Sequence, residues 1–186
     1  RLSRTCYRYL FVAAFPVLFA GIVFAPETIT FLYGSAYASA ALALPWLMAA
    51  EIPVISGVVY GNFSVASNLQ RFDVLFTFFS MCINLVLCAA LIPSHGLVGA
   101  AVASLISYGI ATPMQMLFRS TRPYSIALIR EVARFLAVGS LTWFGFKLCE
   151  GNLPVALSLA VSFAVFAAAS FWLKLITRRD LQGIFA

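Results

Sequence analysis

Charge is what this sequence has least of. Only 10% of its 186 residues are Asp, Glu, Lys or Arg and 63% are hydrophobic, against about 25% charged and roughly 45 to 50% apolar in ordinary soluble domains. That balance argues against a soluble globular protein. The net charge is +6, from 12 Lys and Arg against 6 Asp and Glu. Binding to nucleic acid needs a basic face, however, and these charges are scattered between long apolar blocks, so nucleic acid is not an expected partner. Histidine is reduced to His95, in a turn, where a plain turn role and a proton-relay role both remain open. The 4 cysteines do not make a disulfide scaffold: Cys82 and Cys88 sit inside one apolar run, Cys6 and Cys149 beside others, and all read as small apolar side chains. The chain has no phosphate-binding Gly-x-x-x-x-Gly-Lys loop, no His/Cys/carboxylate cluster at metal-ligand spacing and no Gly-x-Ser-x-Gly elbow. No enzyme activity, metal or cofactor is therefore expected.

What is present is a series of long apolar runs. A bilayer core about 30 Å thick takes roughly 20 apolar residues of helix, and six runs approach that length. They are Tyr9 to Ala25, Ala38 to Val65, Val74 to Ile92, Leu97 to Phe118, Val132 to Leu148 and Leu153 to Leu173. Only Pro93, Ser94, His95 and Gly96 separate the third run from the fourth, which predicts an antiparallel helical hairpin. The expected fold class is all-α, a polytopic membrane bundle of six transmembrane helices. A transmembrane β-barrel would show alternating segments of roughly 10 residues instead. The loops give an independent test, because cytoplasmic loops collect Lys and Arg. With six spans, every basic residue except Lys147 falls on one side: Arg1, Arg4 and Arg8, then Arg71, then Arg119, Arg122, Arg130 and Arg134, then Lys174, Arg178 and Arg179. Both ends of the segment are therefore expected on the cytoplasmic side. The opening at Arg1 reads as a helix end entered in mid-course, so a portion of a longer chain is expected. A secretory signal would be followed by a polar mature domain, whereas apolar runs continue here to the end.

Two loops carry more than connection. The stretch from Pro26 to Tyr37 is moderately apolar with Tyr33 and Tyr37, suiting a segment in the headgroup region, and Gly34 is the expected stop of its short helix. The stretch from Pro123 to Arg134 mixes apolar side chains with arginines and reads either as the surface start of the fifth helix or as an ordinary basic loop.

Candidate functional residues follow from polarity inside the spans. Glu51 lies within the second run, and a carboxylate there costs about 2.5 to 3.5 kcal/mol in lipid, so it faces protein or water. It is a candidate for lining a transport cavity, with a structural hydrogen bond as the alternative. Pro45, Pro53, Gly57 and Gly61 surround it, the composition of a bent or discontinuous helix that can hinge. Pro113 is a further hinge candidate. Asn62, Asn84 and Gln115 are amides in or beside spans, able to bond across helices or to touch a polar solute. Small residues form packing stripes: Gly57 with Gly61, and Gly96, Ala100 and Ser104 with Gly99, Ala103 and Ser107.

The string Leu91-Ile92-Pro93-Ser94-His95-Gly96-Leu97-Val98-Gly99-Ala100-Ala101, with Asn84, Ala103 and Ser107, and Leu32-Tyr33-Gly34 with Tyr37 and Ala40 upstream, resembles polysaccharide flippases. These belong to the multidrug/oligosaccharidyl-lipid/polysaccharide exporter superfamily. The resemblance covers residues 1–122 and implies that they are four helices of the C-terminal lobe of a two-lobed transporter of 12 to 14 helices. Residues 123–186 would then add two C-terminal helices and a cytoplasmic tail. It further implies transport of a lipid-linked oligosaccharide or polysaccharide precursor across the bacterial cytoplasmic membrane by alternating access. The expected partners are membrane lipid, that glycan substrate and the N-terminal lobe. The family commonly places cations in its cavity to meet pyrophosphate. Here no span has a basic residue near its centre, so that role falls to the other lobe or is absent. A cation- or proton-coupled drug antiporter of the same superfamily and a non-transporting membrane assembly subunit are the alternatives.

Overall fold

Proline and glycine divide the chain into its helices. The computed structural model describes residues 2–119, 121–149 and 155–172, and all its regular structure among them is helical. Helix α1, Leu2–Val23, carries Pro16 inside it. Pro26, in the first turn of α2, Ala25–Tyr33, stands where a missing N–H leaves no helical bond unmade. Between the two helices the chain turns through 89°. Gly34 then ends α2 at φ +87°, its N–H bonding to Thr30 O. This is the expected glycine stop, at a backbone angle that a side chain disfavours. A 3-10 segment, Ser35–Leu42, leads into α3, Leu44–Ala66. The second apolar run is interrupted here, at Ala43, upstream of the expected break around Glu51, and α3 runs unbroken past Glu51, Gly57 and Gly61. Pro45 lies in the first turn of α3, and the helix continues through Pro53.

Helix α4 runs from Gln70 to Met114 with Gly96 at φ 54°, ψ −129° in its middle. A straight helix of 45 residues would be about 67 Å long, twice a bilayer core. Instead the chain doubles back. Ser80 Oγ donates to Ser107 O at 2.9 Å, and the rings of Phe72 and Phe76 lie 4.8 and 5.7 Å from that of Phe118. The predicted hairpin is present, with its tip at Gly96. The Phe72–Phe118 contact also brings Arg71 and Arg119, their chain neighbours, to the same open end. The second arm yields to a 3-10 turn, Gln115–Leu117, just after Pro113. Helix α5, Arg122–Cys149, starts before the fifth apolar run, as the surface-start reading expected.

Two compact units result, residues 1–129 and 130–186. In the first, α3 packs on α4 and α1. Tyr7, Phe11, Phe15 and Phe19 bury one stripe of α1, and the Tyr7 hydroxyl donates to Ser56 O at 2.7 Å. In the second, the last part of α5 meets α6, Val155–Trp172. A Cβ added at Gly145 would lie 3.6 Å from Val165, and Ser158 Oγ donates to Cys149 O at 3.4 Å. Leu44–Ala66, Gln70–Leu117 and Ser125–Cys149 are long and apolar enough to cross a membrane, as is the bent α1–α2 pair taken as one span. Arg1, Leu153 and the tail with Lys174, Arg178 and Arg179 lie outside the described residues. Cys82, Cys88 and Cys149 are free thiols.

The hairpin tip yields a test. A Cβ on Gly99 would press on the Leu91 carbonyl, with its carbon 2.7 Å away, and backbone cannot move aside as a side chain does. We expect Gly99→Ala to destabilise the protein by about 1 to 3 kcal/mol, the scale of overpacking. Gly57→Ala, with open space around its Cβ position, should leave stability unchanged. Melting temperatures of the two variants in detergent check this.

Candidate functional site

The polar side chains that the sequence singled out separate into two groups. Asn84 and Gln115 are tied into the interior. Asn84 Nδ2 donates to Ser107 Oγ at 3.0 Å across the hairpin, and the hydroxyl of Ser107, fully buried, donates in turn to Ser104 O at 3.1 Å. The Ser107 carbonyl also accepts from Ser80, so one residue joins both arms through its backbone and its side chain. Gln115 is buried at the end of the hairpin, where its Oε1 accepts from Ser125 Oγ at 3.4 Å and its carbonyl accepts from Thr121. These contacts hold the start of α5 against the end of α4.

Glu51 and Asn62 form the second group. Both are exposed on α3. They are related as i and i+11, three helical turns, which places them on one face about 16 Å apart along the axis. Val58 and Val65 continue that exposed stripe. The opposite side of α3, with Ala50, Ser56, Val59, Tyr60 and Ser64, is buried. Asn62 Nδ2 bonds only to its own helix, at Val58 O, 3.0 Å away, and no hydrogen bond or ion pair to Glu51 occurs among the described residues. Gly57 has nothing near its Cβ position, whereas a Cβ at Gly61 would lie 3.5 Å from Asp73 Oδ2. Pro53 is half-buried in α3 and Pro113 exposed in α4. The stripe can therefore present a carboxylate and an amide to water or to another part of a larger assembly. It cannot present them to hydrocarbon without a cost of about 2.5 to 3.5 kcal/mol.

Two acidic residues were missed by the search for charge inside apolar runs. Glu131 is 2% exposed and accepts from Arg134 Nη1 at 3.1 Å; its i, i+3 spacing to that arginine was the available signal. Asp73 stood just outside the third apolar run, two residues after Arg71, and was not singled out. It lies in the first turn of α4, half-buried against α3. No group of three or more His, Cys, Asp and Glu able to hold a metal ion occurs among the described residues.

Long apolar helices joined by tight turns, with polar groups bonded across a hairpin, define a multi-pass helical membrane protein. The chain is 30% identical over 156 residues to the probable low-salt glycan biosynthesis flippase Agl15 of Haloferax volcanii, a match taking in 81% of this chain and 33% of that protein. It thus spans about a third of that relative's length. No family model matches the chain, and no solved structure matches it.

The Asn84–Ser107 bond makes a second prediction. Interhelical polar bonds in membrane proteins contribute about 0.6 to 2 kcal/mol, so Asn84→Ala and Ser107→Ala should each destabilise by about that much. The double variant should cost little more than either alone, because one bond is lost in all three. A double-mutant cycle of unfolding free energies checks it.

Proposed function

We propose that this chain is part of a flippase that carries a lipid-linked glycan across the cytoplasmic membrane by alternating access. The observation that carries the reading is the uncovered polar stripe of α3, taken together with the similarity to a glycan biosynthesis flippase. A membrane helix that keeps Glu51 and Asn62 on its open side needs water or protein there. A solvated pathway between two halves of a transporter supplies both. On this reading the chain contributes six spans, α4 supplying two of them, with the arginine-rich ends on the cytoplasmic side. The remainder of the transporter faces the Glu51 stripe. The sugar head passes along the stripe while the lipid tail stays in the bilayer. Amide and carboxylate groups suit hydroxyl-rich solutes, because each accepts hydrogen bonds and the amide also donates. Cations to meet a pyrophosphate would come from the other half.

The test is reconstitution of the full-length protein in liposomes with a fluorescent lipid-linked oligosaccharide. Transbilayer movement is read as the fraction of glycan open to an external glycosidase. The wild type should speed movement well above that in protein-free vesicles. Glu51→Gln should slow it about tenfold or more, a barrier change of roughly 1.4 kcal/mol, with the amount of folded protein unchanged. Equal loss of movement and of folded protein would make Glu51 structural. Movement no faster than in empty vesicles would overturn the flippase reading.

A further inference from the structure

The open end of the hairpin gathers positive charge that no described residue neutralises. The guanidinium of Arg71 sits 5.2 Å over the ring of Phe72, and that ring lies 4.8 Å from the ring of Phe118. The carbonyl of Phe118 in turn accepts from the backbone N–H of Arg122 at 3.0 Å, with Arg119 inside the same turn. Arg71, Arg119 and Arg122 thus share one end of the hairpin, and all three are exposed. None makes an ion pair or a side-chain hydrogen bond among the described residues. Asp73 is the acidic residue nearest in sequence. It follows Arg71 by two positions, a spacing at which helical side chains do not face each other, and its Oδ2 lies toward Gly61 of α3. Helices α4 and α5 both begin at this end, so the positive ends of two helix dipoles add to the arginines.

The length of the hairpin says where this charge lies. At 1.5 Å per residue, Arg71 stands about 37 Å along the first arm from Gly96. With the tip at one surface of a hydrocarbon core about 30 Å thick, the arginines emerge at the other, at the level of the lipid phosphates. Large apolar side chains lie uncovered beside them: Val74, one turn from Arg71, is 69% exposed, and Leu117, just before Arg119, is 75% exposed. A cationic rim over an uncovered apolar flank matches a phospholipid, the phosphate meeting the guanidiniums and the acyl chains lying along the flank. Arginine holds a phosphate through paired N–H bonds as well as by charge. A zwitterionic headgroup brings its own cation, whereas an anionic one leaves its charge for the arginines to balance.

We propose that Arg71, Arg119 and Arg122 form a binding site for the headgroup of an anionic phospholipid of the bilayer, with Val74 and Leu117 against its acyl chains. The bound lipid supplies the counter-charge and ties the start of α4 to the start of α5. The site depends on the hairpin crossing the membrane and not on what the protein carries, so it can fail while the flippase reading stands.

Full-length protein, purified and delipidated in an uncharged detergent, is melted in mixed micelles with rising mole fractions of phosphatidylglycerol, and in parallel with phosphatidylcholine. The melting temperature should rise saturably with phosphatidylglycerol and stay flat with phosphatidylcholine. Arg71→Gln, Arg119→Gln and Arg122→Gln should each raise the half-saturating mole fraction about fivefold, the scale of one arginine near an anionic surface. Exposed side chains seldom decide folding, so the three variants give three separate readings. Lys147→Gln, an equal loss of charge at the far end of α5, should leave the titration unmoved. Equal responses to the two lipids, including none, overturn the site. So does a titration unmoved in all three arginine variants, or a Lys147→Gln shift as large as theirs, because binding would then follow total charge. Stabilisation reproduced by inorganic phosphate in lipid-free micelles overturns it as well, since the ligand would be a soluble anion.

Discussion

At the tip of the hairpin, the backbone of Gly99 lies so near the carbonyl of Leu91 that no Cβ fits between them. Register is set there. With the two arms held at that distance, Ser80 and Asn84 fall opposite Ser107, and Phe72 and Phe76 fall opposite Phe118. The end of the second arm is then where Thr121 and Ser125 must be to meet Gln115. A slip of one residue at the tip would rotate each polar side chain by about 100° around its helix and leave Ser107 facing carbon. The placement of Asp73 beside Gly61 depends on the same register, because the first arm carries Asp73 to α3.

Helices in an apolar setting keep their backbone satisfied internally, so the side chains decide what is specific. Most polar side chains in this protein close a local account: serines bond back along their own helices, and Asn84 and Gln115 bond to a neighbouring segment. Among the described residues, exceptions occur on α3 and at Ser170 of α6, whose buried hydroxyl makes no hydrogen bond. On the open face of α3 Glu51 reaches outward, and on its packed face the buried Ser64 hydroxyl makes no hydrogen bond. One helix therefore carries an outward polar stripe and, on the opposite side of its axis, buried hydroxyls.

The sequence was most legible where structure is local. Gly96 and Gly34 need backbone angles that glycine favours, and the short stretch around Pro93 left the flanking runs no arrangement but antiparallel. The end of the fourth run after Pro113 and the early start of α5 were likewise readable from breakers and composition. Packing was not. Helical spacing puts Glu51 and Asn62 on one face, but only the position of α1 and α4 shows that this face is the uncovered one. Gly57 and Gly61 looked like one close-packing stripe, yet Gly57 faces open space and Gly61 faces Asp73. Asp73 was hidden because its burial comes from α3, and Glu131 because its charge broke the apolar run that would have drawn attention to it.

The right-angle bend between α1 and α2 restricts how α1 can move. If α1 stands across the bilayer, α2 lies along its surface, with Phe31, Leu32 and Tyr33 outward from the protein. Sliding α1 along its axis by one helical turn, about 5.4 Å, would drag those side chains through the headgroup layer into water or hydrocarbon. Swinging α1 about the membrane normal keeps them at constant depth. The bend thus acts as a float on a mast, resisting piston motion and permitting rotation, so any rearrangement of this bundle would proceed by turning rather than by plunging.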